Sequence, residues 1–261
     1  MAQELLVALG AALIAVGVFI VGDRLRPKSW QQTGDEASGH LALDLGKTFF
    51  TAVLAFVFVT CWQQTQNAHN HTIAEAKGLV DVHWAAHAMP GPEQQRIHAQ
   101  VRSYTEHVLT EEWALMEHQS RLSQSAGDAL HSLRDTVASV HSSESTVMEA
   151  RSRALAGLER ATQARHDRAV DVERAIPEFL YMALLFGAVL VLLHPVLTGM
   201  QVTRRSVAMT ALLGIVIGAA LLAVHDLERP FSGVLGVPKD AFVYAESQYQ
   251  LTTGGPVTNV E

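Results

Sequence analysis

TFFTAVLAFVFVTCWQQTQNAHNHTIAEAKGLVDVHWAAHAM, residues 48–89, changes solvent preference part-way along. Residues 48–62 carry no charge and are dominated by Phe, Val, Ala and Leu; residues 63–89 are rich in Gln, Asn, His and charged side chains. No proline interrupts the run before Pro90, and Gly78 is its single glycine. At 1.5 Å per residue, about forty helical residues reach about 60 Å, roughly twice the thickness of the hydrocarbon layer. The stretch predicts one long helix that starts inside a membrane and continues into water.

Three further apolar runs flank it, at residues 5–21, 179–200 and 206–224. Each approaches the length a spanning helix needs; the 48–62 run is shorter and reaches that length if residues 41–45 extend it. Four such runs with almost no internal charge do not fit into one soluble core. The first could serve as a cleaved signal peptide, but Glu4 makes its N-terminal flank acidic and no small-residue cleavage site follows. Four transmembrane helices are expected.

Between the second and third runs the apolar residues keep helical spacing. After the Pro90-Gly91-Pro92 break, Ile97, Val101, Tyr104, Val108 and Leu115 mark one face of a helix over 93–121. Leu122, Ala126, Leu130, Leu133, Val137 and Val140 mark a second, and Val147, Leu155, Leu158 and Ala161 a third over 145–174. Strand signals are absent. The fold class is all-α: four transmembrane helices, with a helical membrane-proximal bundle inserted between the second and third. The domains expected are a first transmembrane pair over 1–62, the bundle over 63–175, a second pair over 176–230 and a tail over 231–261. Proline and glycine over residues 225–242 predict a compact turn rather than more helix there, with residues 248–261 disordered.

A net charge of −7 and the lack of a basic, aromatic-laced patch argue against nucleic acid as a partner. The lone Cys61 excludes an intrachain disulfide. Arg24, Arg26 and Lys28 follow the first run, and Arg204 and Arg205 lie between the third and fourth. By the positive-inside rule both short loops are cytoplasmic, leaving the bundle and both termini extracytoplasmic in a multi-pass cell-membrane protein. Arg165, Arg168 and Arg174 form a competing cluster before the third run. Asp44 and Lys47, three apart, suit an interfacial ion pair.

On the second span, Phe49, Val53, Phe56, Thr60, Gln63 and Asn67 fall along one helical face. That face lines a pore, with the Phe rings as a hydrophobic constriction and the amides at a wetter mouth, or it packs against helices and lipid. His83 with His87 and His69 with His71 have spacings able to share a metal ion, but no third ligand stands at a fixed spacing, so packing or solvated roles are expected and no metal or cofactor. Glu178, His225 and Asp226 sit at span ends; His194, beside Pro195, is deeper, and a backbone carbonyl is its expected partner. No nucleophile–base arrangement, phosphate-binding glycine loop or C-x-x-C is present, so an enzyme is not expected.

Two ordered stretches resemble a bacterial family of unknown function described as bestrophin-like. One runs from an apolar span ending in Trp62 through Asn67, Glu75 and Ala76 to Pro90, Gly91, Pro92, Tyr104, Val108, Glu111, Glu112 and Trp113. The other, Glu228-Arg229-Pro230-Phe231-Ser232-Gly233, is similar to the family's D-R-P-F-S-G motif, with Glu228 in place of Asp. The resemblance implies a distant likeness to bestrophins, pentameric anion channels of four-span subunits whose second span lines the pore and whose region between spans two and three is cytoplasmic. That location is opposite to the one the charges predict. Two functions follow: a homo-oligomeric channel for small ions in the lipid bilayer, or a non-conducting membrane-anchored sensor or scaffold acting through its bundle.

Overall fold

The computed structural model describes residues 2–25, 36–174, 176–198, 200–233 and 235–251. Among these, no strand occurs and helices follow one another: α1 (Ala2–Leu25), α2 (Glu36–Ala86), α3 (Gly91–His107), a π-helical turn (Val108–Glu112), α4 (Trp113–Gln119), α5 (Gln124–Ala138), α6 (Ser145–Glu173), α7 (Glu178–Leu197), α8 (Arg204–Leu227) and α9 (Asp240–Leu251). The 51-residue α2 is the long helix that residues 48–89 predict. Helices α3 to α6 replace the sequence ranges with minor changes of boundary. The chain divides into two compact units, Met1–Trp62 with Ala175–Glu228 and Gln63–Arg174 with Arg229–Glu261.

The first unit leaves many large apolar side chains uncovered and brings small residues to its helix contacts, although Phe19, Phe50 and Leu184 are buried too. Leu13 is 70% exposed and Phe186 70%, whereas Ala15 and Leu184 are buried. Where lipid is the solvent, burying Leu or Phe brings no hydrophobic gain, so small residues that let backbones approach occupy the interfaces. Gly214 illustrates this on α8: a Cβ there would lie 2.7 Å from Ala15 Cβ and 2.9 Å from the Ala11 carbonyl oxygen of α1. Gly218, one turn on, is also buried. Thr203 caps α8 reciprocally with Ser206, satisfying two end groups. Among the described residues, three helices are long and apolar enough to cross a membrane, within Leu43–Ala86, Glu178–Leu197 and Arg204–Leu227, against the four that the apolar runs predict. Gly214→Leu will push α1 from α8 and lower the thermal midpoint in detergent, at a cost of about 1–3 kcal/mol. Gly17→Ala, with nothing within 4 Å of its added Cβ, will change it little; equal effects would refute the packing.

The second unit has the opposite pattern, with Leu79, Val82, Ile97, Val101, Leu130, Leu133, Leu158 and Phe242 buried in one cluster. The expected helical faces are those that pack. The helix expected over 93–121 is not uniform: the Trp113 N–H bonds to the Val108 carbonyl, five residues back, so Val108–Glu112 forms a π turn. It ends at Gln119, where Ser120 adopts a left-handed conformation (φ 50°). Among the described residues, 228–239 hold the expected turn without helix; past it, Asp240–Leu251 is helical, and Phe242, Ala245 and Tyr249 are buried. Apolar residues at three- and four-residue steps outweigh the preceding proline and glycine, and α9 completes the core. Of the 248–261 segment expected to be disordered, residues 248–251 are in this helix; 252–261 lie outside the described residues, as does most of the loop carrying Arg26, Pro27 and Lys28.

Candidate functional site

At about 100° per residue, Phe49, Val53, Phe56, Thr60, Gln63 and Asn67 occupy an arc of about 80° on α2. Phe50, Val57 and Cys61, turned away from that arc, pack into the core of the first unit. The arc itself is largely uncovered: Phe49 is 63% and Phe56 60% exposed, Gln63 is exposed, and Val53, Thr60 and Asn67 are half-buried. The Thr60 hydroxyl donates to the Phe56 carbonyl at 2.8 Å, so it costs nothing at apolar depth and presents an acceptor outward. No charged side chain lies on the arc. Asp44 and Lys47 pair at 2.8 Å, as their spacing predicts.

In the second unit, motif residues read as separate in the sequence converge. The carboxylate of Glu75 on α2 accepts from Arg168 Nε at 2.9 Å and Nη2 at 3.0 Å, and from the Tyr104 hydroxyl. Arg168 Nη2 also donates to Glu112 at 2.6 Å. Arg165 grips Glu112 with two bonds of 2.7 and 2.6 Å and donates to the Ser123 carbonyl at 2.8 Å. The Ser123 amide donates to Glu112 at 2.9 Å. Arg168 and both carboxylates are wholly buried. The π turn explains the placing of Glu112, since its extra residue turns Glu112 and Trp113 inward together.

Two carboxylates against two guanidiniums sum to zero, so the network is neutral when all four are ionised. Burial pushes the Glu112 carboxyl up, but Arg168 and Arg165 outweigh it and hold Glu112 below the usual carboxylate range. Burial raises Glu75 despite Arg168. Burial and the Glu75 charge raise the Tyr104 phenol well above its usual range, so it stays a donor. Every strong group has its partner inside the network, which points to a clamp joining α2, α3 and α6 rather than to a reactive centre.

The second motif attaches to the same core. Phe231 is buried edge-on against Trp113, with ring centroids 5.9 Å apart and planes at 81°. The Val237 amide donates to the Pro230 carbonyl at 2.6 Å, and Gly233 takes φ 81°, which favours glycine. Ser232 donates its amide to the Arg229 carbonyl at 3.0 Å. Glu228 ends α8, where its carboxylate accepts the Ile176 amide at 3.4 Å. Arg229 is exposed. Among the histidines, His71 pairs with buried Asp171 at 2.6 Å, and His83 and His87 meet His98 of α3.

The family model described as the bestrophin-like domain matches residues 9–242, most of the chain. The chain belongs to the bestrophin-like family. Two crystal structures of a bacterial bestrophin homologue from Klebsiella pneumoniae share the bestrophin-like fold. A point-substituted form has a TM-score of 0.72 at 13% identity, over 95% of this chain and 99% of that one. The form phased on zinc has a TM-score of 0.68 at 13% identity, with the same coverage. No curated protein sequence matches the chain.

In this bestrophin-like chain, sequence reasoning missed Arg165 and Arg168 as site residues. They read as part of a basic cluster before the third span because nothing local shows their carboxylate partners, which stand 53 and 93 residues away. His98 was missed for a similar reason, as it lies beyond the proline break.

Proposed function

We propose that this bestrophin-like protein assembles with copies of itself into a membrane ring that conducts small ions, anions in the first place. In this reading α1, α2, α7 and α8 are four spans, and the Phe49–Asn67 arc of α2 borders the pore. The observation that carries it is that much of the apolar length of α2, with Phe49 and Phe56 on the arc among it, is left uncovered within one chain, while only the strip through Phe50, Val57 and Cys61 is packed. A single chain of four helices encloses no channel, so a closed symmetric ring is required. Phe49 and Phe56 would form a hydrophobic constriction that gates by wetting and drying, with the Gln63 and Asn67 amides supplying donors at its mouth. The likeness to a bestrophin homologue supports the assignment. The short loops are assigned to the cytoplasm from Arg24, Arg204 and Arg205, against the bestrophin analogy; impermeant labelling of a cysteine introduced at 120–145, in a Cys61→Ala background, will occur in intact cells if this is right.

Mass measurement of the detergent-purified protein should give a ring of several chains; a monomer or dimer refutes the channel. In planar bilayers, Phe56→Ala and Thr60→Ala will change conductance or ion selectivity several-fold, and unchanged currents would remove α2 from the pore. One observation favours the second reading, a membrane-anchored scaffold: an apolar groove of about 580 Å³ runs between α2 and α9, lined by Ile73, Val80, Ala241 and Tyr244. A small non-conducting particle would select it.

A further inference from the structure

His83 and His87 stand one turn apart at the end of α2, where their spacing alone offers two ligands. The chain then turns at Pro90 and returns as α3, and this turn brings His98 to the pair. One ring nitrogen of each of the three histidines lies within 4.8 Å of the other two. The His83 and His98 rings stack at 3.9 Å between centroids, and the His87 ring lies 4.8 Å from that of His98. His83 is fully buried, His98 half-buried and His87 exposed, so the cluster opens to solvent on one side.

The hydrogen bonds orient two of the rings. His87 Nδ1 lies 3.1 Å and His98 Nε2 3.0 Å from the His83 carbonyl oxygen. A carbonyl can only accept, so both nitrogens carry protons, leaving Nε2 of His87 and Nδ1 of His98 with lone pairs. A metal-binding histidine usually has this support, its second nitrogen donating to a carbonyl or carboxylate.

We propose that His83, His87 and His98 form a binding site for a divalent transition metal of the zinc, cobalt or nickel class, with water completing the coordination. Three imidazoles and an open position suit these ions and not calcium or magnesium, which take oxygen ligands. Zinc–nitrogen bonds of about 2.0–2.1 Å place ligand nitrogens about 3.4 Å apart. Binding would draw the three ring nitrogens, within 4.8 Å of one another, in around the ion. Around the cluster stand Arg102, whose guanidinium donates to the Tyr249 carbonyl at 3.0 Å, the Tyr249 ring, 4.8 Å from that of His83, and the Trp84 ring, stacked 5.3 Å from that of His87. The bound ion would tie the end of α2 to α3 across the proline turn.

The test uses the full chain in detergent, with any affinity tag removed and metal stripped by chelator. Titration with Co²⁺ should give the visible absorption of a four- or five-coordinate ion, saturating at one per chain and displaced by Zn²⁺. Zn²⁺ should also raise the thermal midpoint by about 5 °C. His98→Ala and His87→Gln should each weaken binding at least tenfold, while His131→Ala, an exposed histidine elsewhere, should not. His87 is exposed, so His87→Gln keeps the test decisive if His98→Ala does not fold. No Co²⁺ absorption, or binding equal in wild type and His87→Gln, overturns the proposal.

Discussion

Arg168→Met will lower the thermal midpoint by about 10 °C or prevent folding, the largest effect of any single side chain in the second unit. Glu75 loses both guanidinium bonds, and Glu112 keeps Arg165 but loses its second cation. Neither carboxylate can reach water. Breaking a buried ion pair by removing one partner costs about 3–5 kcal/mol, because the remaining charge is uncompensated. At about 2–4 °C per kcal/mol for a domain of this size, the shift is about 10 °C. Arg160→Met is the contrast. Arg160 also pairs with a carboxylate, Asp81 at 2.9 Å, but both groups are substantially exposed, and such pairs contribute about 1 kcal/mol or less. Adding Glu75→Gln to Arg168→Met removes one orphaned charge and should restore part of the loss. Melting curves of the four proteins, followed by circular dichroism, test this. Equal shifts for Arg168→Met and Arg160→Met would refute the clamp.

Gly78→Leu will separate α2 from α6 and lower the midpoint by a comparable amount. A Cβ at Gly78 would lie 2.7 Å from the Gly157 carbonyl oxygen and 3.0 Å from Ala161 Cβ; one at Gly157 would lie 2.9 Å from the Gly78 carbonyl oxygen. The helices meet backbone to backbone, and the obstructing atoms are not ends of flexible side chains. Overpacking costs about 1–3 kcal/mol where neighbours can yield and more where they cannot. Gly91→Ala, with open space around its added Cβ, should be neutral or slightly stabilising. If Gly78→Leu melts like wild type, α2 and α6 do not cross at these glycines.

Gly78 also shows what a sequence leaves undecided. Its place in a helix-compatible run reads as a weak point, whereas its reason lies in α6, 79 residues further on. That Phe49, Val53, Phe56, Thr60, Gln63 and Asn67 share one side of α2 was legible because helical period is local. Whether a face is bare depends on what packs against the helix elsewhere. Arg165 and Arg168 look like ordinary basic residues before a span, and their burial follows only when α6 is laid against α2 and the π turn.

Composition and periodicity by themselves determined the helical class, the apolar runs, the unbroken α2 and the amphipathic faces of the bundle, since each depends on residues within one or two turns. The family motifs were legible for the same reason, as short ordered strings. Only the tertiary structure decided that Glu75, Tyr104 and Glu112 share one buried network with two arginines, that α9 completes the core, and that His98 joins His83 and His87. Those outcomes depend on contacts between residues far apart in the chain. Charge pairing, burial and metal-ligand geometry are properties of the space between helices, which no local pattern encodes.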